Sequence, residues 1–194
     1  MINAYAGSAN QLPCARHSRI QTAQIAGSKA LYWKLVLTPG LTSRFDAVWL
    51  FDGDMEIGGE TLHLEHVLGV LKATGAPLLQ PTVIPVRQGG RGTDNPELRP
   101  AAEWFSDACL VRTVGYVETQ TPFFRGDAWR RFHADVLAVT PDALLLECDW
   151  IDIAMCPHAE DVLGGPCLIT QGAHVVHMDA MRPCQSRPAR PLLA

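Results

Sequence analysis

Apolar segments of strand length alternate with segments of helical period along this 194-residue chain, and the alternation predicts an α/β sandwich. Two stretches carry the prediction. Residues 45–51 form a short, nearly all-apolar run, as expected of a strand covered on both faces. Leu64, Val67, Leu68 and Leu71 fall at i, i+3, i+4 and i+7, on one side of a helix from which Glu65 and Lys72 turn away.

The other elements follow in chain order. Residues 20–37 read as a helix stopped by Pro39-Gly40. Residues 78–86 read as a strand interrupted by prolines, and 109–117 as a second strand containing β-branched residues. Residues 127–137 are expected to be helical with Trp129, Phe132 and Val136 inward, and a shorter helix over 149–156 to stop at Pro157. Two closing strands are expected at 167–170 and 174–178. The opening stretch to His17, the glycine-rich 85–100 and the Pro/Arg-rich tail from Arg182 fall outside the core by composition. The reading is one domain over 1–181 and a disordered tail over 182–194.

Sixteen Lys and Arg against 20 Asp and Glu leave a formal charge of −4, which indicates neither a basic nucleic-acid binder nor an acidic tail. A 47% hydrophobic content with 19% charged residues supplies a full core and excludes disorder as a general description. No apolar run approaches the roughly 20 residues of a membrane-spanning helix. The N-terminal residues carry no basic region followed by an apolar one, so the expected location is cytoplasmic. Cys14, Cys109, Cys148, Cys156, Cys167 and Cys184 form no Cys-x-x-Cys pair and read as thiols, not as a disulfide framework or a zinc site. Cys156 and His158 are close in sequence, but two ligands do not make a metal centre.

The segment Phe45-Asp-Ala-Val-Trp-Leu-Phe-Asp-Gly-Asp54 is the most informative for chemistry. A buried strand ending in Asp52-Gly53-Asp54 delivers two carboxylates to the edge of the sheet where open α/β folds hold ligands. Two adjacent carboxylates repel unless a cation lies between them, and such oxygen ligands suit Mg²⁺ or Mn²⁺, which in turn bind phosphate. The alternative is an ordinary turn. Farther on, Glu118 ends a strand, placed either to bind a hydroxyl-rich ligand or act as a base, or to pair with Arg125 at the surface. Asp127 reads as a helix cap. Asp149 and Asp152 stand three apart at a helix start, where the dipole favours anions; they serve as cap and first-turn acid, or one of them is a general base. His63 and His66 read as solvated. His174 and His177 lie on opposite faces of a strand, so one of them at most points at a site. Arg87 and Arg91, in the glycine-rich loop, either close over a phosphate or remain solvated.

In order, the 45–54 strand, Gln80-Pro81, Tyr116-Val-Glu118 through Pro122-Phe-Phe-Arg-Gly-Asp-Ala-Trp129, Trp150-Ile-Asp152 and Val175-Val-His177 resemble the domain-of-unknown-function family 707, a group similar to glycosyltransferases of the GT-A type. The resemblance implies a GT-A-like α/β/α sandwich with a mixed sheet; the sequence departs from that pattern ahead of residue 45, where the nucleoside-gripping β-α-β unit is expected to be incomplete. The resemblance also implies a metal-dependent transferase moving sugar from a nucleotide-sugar donor to a carbohydrate or glycan acceptor. In that reading Asp52, Asp54 and His177 hold Mn²⁺ or Mg²⁺. Arg87 joins Asp52 and Asp54 on the donor. Glu118 and Asp149 face the acceptor with Asp152, which is the base if the enzyme inverts. A degenerate, non-catalytic carbohydrate-binding member of the same fold is the alternative. A haloacid-dehalogenase-like phosphatase also places Asp-x-Asp after an apolar strand, but Glu56 stands where that pattern wants Thr or Val.

Overall fold

The computed structural model describes residues 2–3, 22–23, 27–56, 62–85, 111–146 and 150–178. Strands β1 (Ile2–Asn3) and β2 (Thr22–Ala23) pair in parallel as a small separate sheet. The main sheet contains β3 (Ala47–Trp49), β4 (Met55–Glu56), β5 (Leu78–Pro85), β6 (Val111–Val114), β7 (Phe123–Arg125) and β8 (Cys167–His177). Its order is β3-β7-β5-β8-β4, with β6 also paired to β8. The β5–β8 pair is parallel and the others are antiparallel, so the fold is mixed α/β with a mixed, mostly antiparallel sheet.

Helices cover both faces because side chains alternate along each central strand. Leu78, Phe124, Cys167 and Ile169 pack with α1 (Lys29–Val36), α4 (Gly126–Phe132) and α6 (Trp150–Leu163). Their neighbours Leu79, Phe123 and Leu168 face the opposite side, with Val67 and Leu71 of α3 (Leu64–Thr74). On the first face, Trp129 meets Trp33 and Phe124 edge to face, with centroids 6.2 and 5.2 Å away. The Trp129 indole N–H donates to the Leu37 carbonyl at 2.9 Å, so the ring is buried without an orphaned donor. Where α4 begins against β3, the Gly126 N–H reaches the Asp46 carbonyl at 2.6 Å. A Cβ there would lie 2.3 Å from the Phe45 carbonyl, so only glycine permits this junction.

Several expectations from sequence need correction. Helix α1 is eight residues long, not a helix over 20–37. Ser28 caps it by accepting from the Leu31 N–H, and Gly27, at φ 138°, precedes the cap in a conformation no helix contains. Pro39 does not terminate a helix but starts the one-turn α2 (Pro39–Thr42), where its missing N–H costs nothing. Thr22 and Ala23, inside the segment expected to be helical, are strand residues. β3 is an edge strand, which leaves Phe45 and Phe51 46% and 52% exposed while Val48 and Leu50 are buried; the apolar run is not covered on both faces throughout. In α3 only Val67 and Leu71 are buried, whereas Leu64 and Leu68 are 44% and 40% exposed, so the buried stripe is narrower than the periodicity implies.

Helix α6 runs through Pro157 to Leu163 instead of stopping there. The interrupted hydrogen bond costs about 3 kcal/mol, offset by burial of Ile151, Met155, Cys156 and Ala159. The two closing strands are one, β8, with a bulge: Pro81 of β5 opposes Thr170 and Thr82 opposes His174. Pro81, which cannot donate to the ladder, sits at that irregularity. The helix from Gly126 continues as a π-helical turn over His133–Leu137; Trp129 and Phe132 are buried as expected, but past the wider turn Leu137 is buried in place of Val136, which is only partly covered.

Cys156 and Cys167 form a disulfide, against the expectation of free thiols. The turn from α6 into β8 brings them to a Cα separation of 5.5 Å, a tertiary event no cysteine spacing announces. Cys14, Cys109, Cys148 and Cys184 lie outside the described residues, as do the glycine-rich segment beyond Pro85 and the 182–194 tail. Among the described residues no helix is long and apolar enough to cross a membrane.

Candidate functional site

The β3–β7 register continues past the strands. The Leu50 N–H donates to the Pro122 carbonyl at 3.0 Å and the Asp52 N–H to the Gln120 carbonyl at 2.9 Å. Asp52 therefore ends an extended ladder, and the Met55 N–H closes a turn onto the Asp52 carbonyl at 3.2 Å. The turn carries the chain from β3 to β4, where Met55 pairs with His177. Asp54 is thereby set beside the end of β8. Its carbonyl accepts from the Met178 N–H at 2.9 Å, and its Oδ2 lies 3.2 Å from His177 Nε2.

Asp52 meets a partner that the strand-turn pattern does not announce. Lys29 Nζ, from the first residue of α1, donates to both carboxylate oxygens at 3.1 and 3.0 Å. A cation at the positive end of a helix dipole is unfavourable without such a partner, and this is the one sequence signal that points to Lys29. Burial nevertheless holds the Asp52 carboxyl above the usual range. Lys29 and His177 pull it down, while the charge of Asp54 adds to the rise.

Asp152, in the first turn of α6, accepts from the Thr119 N–H at 2.7 Å and from the Tyr116 hydroxyl at 3.1 Å. Burial raises its carboxyl above the ordinary range against these hydrogen bonds and against the charge of Lys29. Lys29 is therefore within electrostatic reach of both Asp52 and Asp152. Glu118 is 6% exposed, and its N–H donates to Oε1 of buried Gln80 at 2.9 Å. The surface pairing of Glu118 with Arg125 is not formed: Arg125 grips Asp127 at 2.5 and 2.9 Å and donates to the Gly75 carbonyl. Asp127 is a first-turn acid paired to Arg125, the residue that occupies the cap position, and not itself the cap.

Five of the candidates thus stand on the segments that meet at this end of the sheet: Asp52, Asp54, Glu118, Asp152 and His177. Arg87 and Asp149 lie outside the described residues. Lys29, Tyr116, Thr119 and Gln80 complete the surroundings, and it is their tertiary contacts that place them there. His174 belongs to different surroundings, where burial and then the nearby His63 lower its pKa. His66 is not simply solvated: its Nε2 lies 2.9 Å from the hydroxyl of buried Thr170. His158 pairs with Asp135 at 3.1 Å and Cys156 is in its disulfide, which removes that pair as metal ligands.

The donor types of Asp52, Asp54 and His177, two carboxylates and an imidazole, fit Mn²⁺ or Mg²⁺. Among the described residues, however, no group of three His, Cys, Asp or Glu side chains is arranged to hold an ion. An open groove of about 720 Å³ lies at the opposite end of β3, between α3 and the start of α4, where Phe45, Leu68 and Leu71 meet Lys72 and Arg130. It contains none of the acidic candidates, and chemistry rather than volume places the site at the carboxylates. No protein-family model matches the chain, and no curated protein matches it.

Proposed function

We propose that the protein is a metal-dependent glycosyltransferase of GT-A-like type, similar to domain-of-unknown-function family 707, which transfers sugar from a nucleotide-sugar donor to a carbohydrate acceptor. The observation that carries this reading is the juxtaposition of Asp54 with His177 beside Asp52, with Asp152 reached through Lys29. Asp52, Asp54 and His177 would hold Mn²⁺ or Mg²⁺, which supplies positive charge for a departing nucleoside diphosphate. Asp152 is held in place by the Thr119 N–H and the Tyr116 hydroxyl, and its raised proton affinity suits it to take the proton of an acceptor hydroxyl. Glu118, fixed through its backbone to Gln80, would hydrogen-bond the acceptor.

The test is thermal unfolding with Mn²⁺ and UDP or GDP. A donor site raises the melting temperature when both are present, because ligands that bind only the native state stabilise it. Asp54→Ala is expected to abolish that rise, and an unchanged rise in the variant would refute the metal assignment. Release of nucleoside diphosphate from sugar nucleotides then separates a transferase from a binding protein of the same fold. The Cys156–Cys167 bridge favours an oxidising compartment over the cytoplasmic location expected from sequence.

A further inference from the structure

Lys29 has no place in the site as inferred from sequence, yet it makes the most complete ion pair in the cleft. Its ammonium touches both oxygens of Asp52, and both side chains are largely covered, at 23% and 27% exposure. A divalent ion binding Asp52 would share the two carboxylate oxygens that the ammonium now engages, and two cations so close repel each other. The two cations therefore compete, and the arrangement in which Lys29 holds Asp52 is also one in which no metal-binding triad is assembled among the described residues.

We propose that Lys29 is a resident counter-cation that blocks Asp52 in the ligand-free cleft and moves onto the diphosphate of the donor when a divalent cation takes Asp52. This rests on the transferase reading and specifies its ligand chemistry: metal and diphosphate bind cooperatively because one side chain must leave the first to meet the second. The physical reason is charge conservation in a partly buried site. Asp52, Asp54 and Asp152 set three carboxyl groups about the ammonium of Lys29, oxygen donors that attract a divalent cation. An ammonium released next to that metal would be repelled by it unless an anionic group arrives. A diphosphate brings that group. A four-carbon stem on the first residue of α1 lets the ammonium move without disturbing the helix.

The experiment is calorimetric titration of the full chain with Mn²⁺ alone, and then with inorganic pyrophosphate at saturating Mn²⁺, for wild type, Lys29→Met and Lys29→Arg. Pyrophosphate probes the diphosphate without assuming a base or sugar. Lys29→Met is expected to bind Mn²⁺ alone about fivefold or more tightly than wild type, and pyrophosphate about fivefold or more weakly. Lys29→Arg retains the charge and is expected to bind Mn²⁺ no more tightly than wild type. Circular dichroism melting without metal establishes that each variant is folded. Equal or weaker Mn²⁺ binding by folded Lys29→Met overturns the counter-cation role while leaving the metal site standing. Absence of Mn²⁺ binding in all three proteins overturns the metal reading and the proposal with it.

Discussion

Asp54 Oδ2 and His177 Nε2 stand 3.2 Å apart although 123 residues separate them in the chain. The contact follows from backbone pairing: Met55 opposes His177 across the β4–β8 ladder, and the Met178 N–H is tied to the Asp54 carbonyl. If the imidazole completes a cation site, His177→Ala weakens Mn²⁺ binding by about tenfold or more. Calorimetric titration measures this directly; an unaltered affinity would remove His177 from the ligand set.

The Cys156–Cys167 bridge joins α6, which carries Asp152, to β8, which carries His177. It closes a short loop, with a sequence separation of 11. Constraint of the unfolded chain by a loop of that size contributes about 3 kcal/mol. Urea unfolding of the Cys156→Ala/Cys167→Ala double variant is expected to show a loss of that order, and a curve coincident with wild type would show that the bridge is not formed in solution.

Asp152 makes stability depend on pH in a defined direction. Burial raises its folded-state pKa above the ordinary value of 3.8, so the folded chain holds a proton that the unfolded chain has released. Stability contributed by this group is therefore present at acid pH and lost as pH rises from the ordinary carboxylate range through the raised value. Asp152→Asn, which keeps an acceptor for the Thr119 N–H, should melt at a higher temperature than wild type at pH 7 and show a shrinking difference toward pH 3. A constant difference across that range would assign the effect to packing instead.

Val67 and Leu68 are adjacent on α3 but differ completely in burial, at 0% and 40% exposure. Val67→Ala is expected to cost about 2 kcal/mol through the cavity it leaves. Leu68→Gln should change stability by no more than about 0.5 kcal/mol. Denaturant unfolding distinguishes them, and a large loss at Leu68 would mean that something covers that face in solution.

The acidic turn is legible because its signal is local: an apolar strand followed at once by turn-forming residues leaves Asp52 and Asp54 at a strand end. The start of α6 and its Asp152 are legible for the same reason. Lys29, Gln80 and Tyr116 are not, because each acts across a contact spanning 23, 38 and 36 residues respectively. The missed strand ends have a similar cause. Continuation of α6 through Pro157 and the joining of two segments into β8 depend on burial and on the partner strand β5, not on local preference.

Residue order alone determined the alternation of strands and helices, the acidic turn after β3 and the inward positions of Trp129 and Phe132, since each depends on neighbours a few residues away. Tertiary structure decided which face of α3 is buried, which cysteines join, that Asp54 meets His177, and that Lys29 occupies Asp52. Those outcomes depend on strand register and helix placement, which bring distant residues into contact and withdraw water from their charges.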